Sequence, residues 1–435
     1  LVNAHGHDLL RVASSWYCWD GQRFDRDDTA SGVLRLAAES VRAMYEEAAR
    51  LDDSEDRKAL SKHATQSEAE RSLRAGVALA AINPAVTARV EHLDANPMLL
   101  TVTNGTLELD TGTLREHRRA DRSTLIAGAS YLPAAKCPRW HAFLERIFDG
   151  DEALIDFIRR AVGYILTGRT DEQILVLLYG NGANGKSVLL AVLRALLGDY
   201  ARNTPASTLL ERRNGGDAIP NDLARLRGVR LVTAAETGDG RRLDEERVKS
   251  LTGSDVISAR FMRSEWFDYL PVFKLLLATN HLPVIRGTDH AMWRRVRLIP
   301  FAVTIPDAEQ DRTLTAKLLD ELPGILAWAI TGCLDWQRDG LQPPAAVMAA
   351  TTGYREEMDT LGKFLGDACE LHPDASTPAA DLYSAYTTWC ERNGERYPLS
   401  QTAFGRRLTE RDITADRNGA QRLRRGIALR TTEER

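Results

Sequence analysis

The chain has 435 residues, 43% hydrophobic and 27% charged, which supplies cores for more than one domain and excludes a disordered tail. A net charge of −4 makes no case for nucleic acid by itself, and five scattered cysteines without a Cys-x-x-Cys pair point away from a disulfide scaffold or structural zinc and toward a reducing cytosol. No apolar run approaches the roughly 18–20 residues of a bilayer span, so the expectation is a cytoplasmic protein with no membrane partner.

Residues 1–30 read as short strands, with SSWYCWDGQRF turning at Asp20-Gly21. From Ser31 to Ala81 the spacing becomes helical, interrupted at Asp52–Ser54. LLTVTNGTLELDTGTLREH carries turn signals at Asn104-Gly105 and Thr111-Gly112 and predicts a small hairpin, after which helical spacing returns in WHAFLERIFDGDEALIDFIRRAVGYILTG. Strand-like runs then recur at 174–180, 229–235, 274–279 and 296–301, the rhythm of an α/β domain with a largely parallel sheet, closed by a helical stretch at 314–339. Beyond Pro343-Pro344, helices near 360–370 and 379–392, a basic helix and a hairpin at Asn418-Gly419 have the order of a winged-helix domain. The expected domains are 1–145, mainly helical and accessory; 146–342, the α/β domain; and 343–435, the winged-helix-like end.

Gly180–Ser187, GNGANGKS, fits G-x-x-x-x-G-K-[ST] with an apolar strand before it and a helix after it, the context a phosphate-binding loop needs. Glycines let backbone N–H groups curl around phosphate, and a side chain at Gly182 or Gly185 is expected to obstruct that approach. Gly180, Asn181, Gly182, Ala183, Asn184, Gly185, Lys186, Ser187 and Val188 are therefore the candidate nucleotide-binding residues. Lys186 would reach the β and γ phosphates, and Ser187 would offer a hydroxyl to Mg²⁺. Glu236, just past the strand VRLVTAA, is the general-base candidate and a second metal candidate. Asn280, ending KLLLATN, can reach the γ-phosphate or the lytic water. Arg294 and Arg295 precede the last strand, where either suits an arginine finger and an ordinary salt-bridged edge is the competing reading. No NKxD sequence follows the loop, which speaks for ATP over GTP.

Two windows are basic: residues 260–297 hold seven Lys/Arg against three acids, and 401–430 hold eight Arg against three acids. Candidate phosphate contacts are Lys249, Arg260 and Arg263 on or beside an expected hairpin at 256–272, and Arg406 and Arg407 in AFGRRLTERDI. Trp266 and Phe267 suit either stacking on bases or packing beneath that hairpin.

GNGANGKS, VRLVTAAET, VKSLTGSDVISAR, KLLLATN and WRRVRLIPF stand in order over some 120 residues, and together they resemble superfamily 3 helicases of the phage and plasmid primase P4 type, related to the poxvirus D5 protein. WYCWDGQRF and the 138–168 region resemble the D5-type N-terminal domain, and AFGRRLTERDI with RLRRGIAL the family's winged-helix end. The resemblance implies an AAA+-like P-loop domain, a hexameric homo-oligomer around single-stranded or forked DNA, ATP and Mg²⁺, 3′ to 5′ movement, and a role in phage, prophage or plasmid replication inside a bacterial cell. It also implies a primase or replication initiator as partner. Residues 1–130 show no acidic or zinc constellation for primer synthesis, so a helicase without primase is expected. The alternatives are a DNA-dependent ATPase that initiates or loads without processive unwinding, and a nucleotide-regulated DNA-binding scaffold with little turnover.

Overall fold

The computed structural model describes residues 1–211, 221–235, 238, 240–261, 265–287, 290–395, 398–418 and 421–430. They form two compact units, residues 1–283 with 294–348, and residues 284–293 with 349–435. No helix among the described residues is long and apolar enough to cross a membrane.

The first unit opens with α1 (Val2–His5) and an antiparallel sheet of β1 (Leu9–Val12), β2 (Ser15–Trp19) and β3 (Phe24–Asp27). The β2–β3 turn lies where Asp20-Gly21 predicts it: the Asp20 carboxylate accepts the N–H groups of Gln22 at 2.7 Å and Arg23 at 2.8 Å, and the rings of Trp19 and Phe24 meet edge-on at 5.3 Å. Three helices follow, α2 (Ser31–Arg50), α3 (Ser54–Ser67) and α4 (Glu70–Ala80). Asp53 caps α3 by accepting from Glu55 and Asp56, which accounts for the predicted interruption, whereas the second break at 68–69 has no comparable signal. The expected hairpin has one strand more, as β4 (Leu99–Val102), β5 (Gly105–Glu108) and β6 (Thr113–Arg115) form a meander.

The next helical stretch is two helices, α5 (Pro138–Ile147), with proline in its first turn, and α6 (Glu152–Leu166), capped by Asp151. Asp149 and Gly150, both at positive φ, separate them. The α/β core then runs β7 (Leu175–Tyr179), α7 (Lys186–Leu197), β8 (Ala201–Asn203), α8 (Asn221–Ala224), β9 (Leu231–Ala235), α9 (Glu245–Thr252), β10 (Ile257–Ala259), β11 (Phe267–Tyr269), β12 (Lys274–Thr279), α10 (His290–Trp293, in the second unit), β13 (Val296–Pro300), α11 (Leu314–Leu319) and α12 (Leu322–Asp339). Five parallel strands form one sheet in the order β13-β7-β12-β9-β8. Runs such as LVLLY and KLLLAT are apolar almost throughout because helices cover both faces of a parallel sheet. The edge strand β8 was not expected.

Helices α6 and α12 cross at two glycines. A Cβ on Gly163 would lie 2.1 Å from the Cys333 nitrogen, and one on Gly332 would lie 2.1 Å from the Arg159 carbonyl oxygen. At the N-terminal edge of the sheet two buried cations serve the C-terminus of α6: the Arg230 guanidinium donates to the carbonyls of Leu166 and Leu99, and the Lys274 ammonium donates to Thr167 at 2.5 Å while lying 4.5 Å from the Tyr164 ring centre. Cations at a helix C-terminus oppose its negative dipole end.

In the second unit are α13 (Ala345–Met358), within which the unit boundary falls, α14 (Thr360–Ala368), β14 (Cys369–Glu370), β15 (Ser376–Pro378), α15 (Ala379–Arg392), α16 (Gln401–Thr409), β16 (Ala415–Asn418), β17 (Gln421–Arg425) and β18 (Ala428–Leu429). Its sheets are β15-β17-β16 and β14-β18. Phe364, Tyr386 and Phe404 fill its core, with the last two rings 4.7 Å apart.

Candidate nucleotide site

The site sits at the C-terminal ends of the parallel strands, where an open α/β sheet leaves a crevice. Strand β12 arrives late in sequence yet lies between β7 and β9, so Asn280 comes beside the loop that follows β7. That loop has little room for side chains at two glycines. A Cβ on Gly180 would meet the Phe301 carbonyl oxygen at 2.3 Å; Gly185 has φ +86°, and a Cβ there would meet Ile147 at 2.6 Å and the Phe143 ring at 3.1 Å. At Gly182 a Cβ would meet nothing within 4 Å and φ is not positive, so the protein's own packing does not require glycine there. Ala183 instead takes the left-handed conformation, φ +57°, and its carbonyl accepts the Ile305 N–H at 2.7 Å.

Lys186, 6% exposed, begins α7 and donates to the Gly180 carbonyl at 2.5 Å, the Asn184 side-chain oxygen at 3.0 Å and the Asn280 side-chain oxygen at 3.2 Å. Burial pushes its ammonium below the ordinary lysine value. All of these partners are neutral oxygens. The charge is held by dipoles, the arrangement of a cation that can receive an anion without first breaking an ion pair. Asn184 is buried and fixes the loop by donating to the Asn181 carbonyl, which also faces Lys186 at 3.5 Å. Ser187 is exposed and Val188 half-buried in the first turn of α7.

Gly182 to Val188, Ala235 and Asn280 line a cavity of about 710 Å³, a size that holds a nucleotide. Glu236 lies outside the described residues; β9 ends at Ala235, whose register partner is Ala278, two residues before Asn280. The cavity's other walls were missed by the sequence reading. They come from α5, through Arg139, Ala142 and Arg146, and from the segment 305–317, through Ile305, Leu314 and Lys317. The signal was available in α5, where positions 139, 142 and 146 share one helical face.

Arg294 and Arg295 have different surroundings. Arg294 is exposed and donates to Gln173 at 2.5 Å. Arg295 is only 7% exposed, and its Nε donates to the Thr252 hydroxyl at 3.1 Å. Arg295 is thus part of the interior, its buried guanidinium satisfied by a hydroxyl acceptor on α9. Neither lines the phosphate cavity of its own chain.

β10 and β11 pair antiparallel, as the sequence suggested for 256–272, with Ile257 opposite Tyr269. Arg260 is half-buried, with its guanidinium 4.9 Å from the Trp266 ring centre, and Trp266 is 54% exposed. Phe261 stacks on Phe267 at 5.8 Å. Arg263 lies outside the described residues, and Lys249 is half-buried on α9. In the second unit Arg406 is exposed, 3.8 Å from Glu410, while Arg407 donates to the Arg286 carbonyl.

Comparison with known proteins gives three family matches: "D5 N terminal like" over residues 1–149, a family of unknown function, DUF5906, over 178–295, and "Poxvirus D5 protein-like" over 356–411. A "Putative helicase" of Acanthamoeba polyphaga mimivirus is 27% identical over 70% of this chain and 34% of its own length. Another, from Frog virus 3, is 31% identical over 58% of this chain and 28% of its own length. A "Putative primase" of African swine fever virus is 23% identical over 70% and 34%. The chain thus spans about a third of the length of these relatives. A solved structure of the NrS-1 C-terminal region aligns with TM-score 0.46 at 11% identity, covering 79% of this chain and 86% of that one. The chain thus matches D5 N-terminal-like and poxvirus D5-like family models over separate segments and is similar to viral proteins named putative helicase and putative primase.

Proposed function

We propose that this chain is an ATP-driven DNA helicase motor, built as a ring of identical subunits, that serves replication of a phage, plasmid or related viral element. The observation that carries the reading is Lys186: a buried ammonium held by neutral oxygens from its own loop and from Asn280, at the rim of a nucleotide-sized cavity. Triphosphate entering the cavity meets backbone N–H groups of 182–188, the N-terminal end of α7 and this ammonium. Asn280 touches Lys186 and directly follows the central strand, so it is suited to sense the γ-phosphate. Glu236, directly after β9, is assigned to orient and deprotonate the attacking water.

The described residues contain no group of three or more His, Cys, Asp or Glu that could hold a metal ion by itself, but the exposed Ser187 hydroxyl fits one that arrives with the phosphates. Mg²⁺ held by Ser187 and the phosphates, with Glu236 nearby, would neutralise charge on the transferred group.

Exposed Arg294 is the better finger for a neighbouring subunit's ATP, and buried Arg295 holds α9. In a six-membered ring the β10–β11 hairpin, with Arg260, Trp266 and the adjoining Arg263, would grip single-stranded DNA, and Lys249 would support it from α9. The second unit would contact DNA as a winged-helix domain through Arg406, with Arg407 bracing α16. Movement 3′ to 5′ follows from the family resemblance.

The test is ATP turnover and fork unwinding by three variants. Lys186→Ala loses nucleotide binding, Glu236→Gln binds but does not hydrolyse, and Arg294→Ala regains turnover when mixed with Lys186→Ala subunits. Normal turnover by Lys186→Ala, or Arg294→Ala turnover that mixing does not restore, contradicts the corresponding role.

A further inference from the structure

The cavity at the phosphate loop has four cationic side chains and two carboxylates among its described lining residues. Glu309 is paired with Arg146 at 2.7 Å, and Asp311 with Lys317 at 2.6 Å. Lys186 and Arg139 are left without a carboxylate. Lys186 marks the phosphate end. Arg139 lies in the first turn of α5, exposed, with its backbone N–H donating to Glu321 at 3.2 Å and its guanidinium making no hydrogen bond or ion pair among the described residues.

The rest of the lining includes small and aliphatic side chains. Ala142 is exposed one turn along α5 from Arg139, and half-buried Ile305 and Leu314 line the cavity from the other segment. Phe143, on the same helix, also borders the cavity, though it is only 4% exposed and packs against Gly185. Small and aliphatic side chains with a planar cation suit a flat, weakly polar ring better than they suit phosphate.

We infer that α5 supplies the nucleoside half of the ATP site, with Ala142 forming the floor under the nucleobase, Ile305 and Leu314 the facing wall, and Arg139 stacking on the ring. This rests on the proposed nucleotide-binding function and extends it, because α5 belongs to the segment matched as D5 N-terminal-like, residues 1–149. That segment is then part of the ATPase, and the phosphate loop alone is half a site.

Calorimetric titration of the full chain with Mg-ATP and, separately, with Mg-tripolyphosphate, which has no nucleoside, tests the assignment. Arg139→Ala should weaken ATP about tenfold and Ala142→Trp at least as much, with tripolyphosphate binding within about twofold of the unsubstituted chain; circular dichroism verifies the fold of each variant. ATP binding unchanged in both variants overturns the inference. So do equal losses of both ligands, which would place these residues under the phosphate loop. Lys186→Ala separates the underlying reading: it should weaken both ligands, and if it weakens neither, the phosphate-loop assignment fails whatever α5 does.

Discussion

Replacing Gly163 by alanine sets two effects of opposite sign against each other. Within a helix, Gly→Ala normally stabilises by about 0.5–1 kcal/mol, because the unfolded chain has less freedom to lose. At Gly163, however, the new methyl would lie 2.1 Å from the backbone nitrogen of Cys333, and a backbone atom in α12 cannot rotate aside as the end of a side chain can. Relief requires α6 and α12 to separate along a buried face that includes Phe157, Ala161, Ile330 and Cys333. Overpacking of this kind costs about 1–3 kcal/mol, and with backbone as the obstacle the upper end applies, leaving a net loss of about 2 kcal/mol. Gly76 in α4 is the internal control: its Cβ would meet nothing within 4 Å, so Gly76→Ala should gain about 0.5–1 kcal/mol. Urea unfolding followed by far-UV circular dichroism compares the two. Gly163→Ala as stable as the unsubstituted chain, or Gly76→Ala less stable, would refute the reasoning from close approach.

Gly185→Ala should destabilise by about 2–4 kcal/mol, combining left-handed strain with the contact on Ile147, whereas Gly182→Ala should change stability by less than about 1 kcal/mol; the same unfolding assay reads both. Arg295→Ala should lose about 1–3 kcal/mol by orphaning a buried hydrogen-bond partner, while exposed Arg294→Ala should stay within about 0.5 kcal/mol; equal losses would contradict their different settings. Lys274 gives a pH dependence. Burial holds its ammonium well below the ordinary lysine value, helped by repulsion from Arg230, so over the interval between the native and unfolded values the unfolded chain binds the extra proton. Its contribution therefore makes stability rise with pH over the interval below the ordinary lysine value, about 10.4, and fall on acidification through it, by up to about 1.4 kcal/mol per unit. Lys274→Met should flatten that slope in denaturation curves taken across the window, and an unchanged slope would exclude Lys274 as its source.

Local patterns carried much of the fold and part of the site. Gly180–Ser187 announced itself because strand, loop and helix each need a different residue class in a fixed order, and the central strands announced themselves by unbroken apolar runs. Strand β8 did not, because Ala201-Arg202-Asn203 is short and polar and becomes a strand only by pairing with β9. The burial of Arg295 and Lys274 was equally hidden, since their acceptors, Thr252 and Thr167, lie far away in sequence. The α5 wall was legible as an amphipathic face, but nothing local says that the loop about 40 residues later turns toward it.

Arg230 reaches two carbonyls, Leu99 in β4 and Leu166 at the end of α6, from a position at the foot of the sheet. Leu100 and Leu107 share one apolar cluster with Leu193 and Trp328, so the same bond spans a region continuous in space and interrupted in sequence. A protease that nicks the backbone near half-exposed Leu132 should consequently release nothing: both fragments would remain associated on a sizing column and come apart only in denaturant.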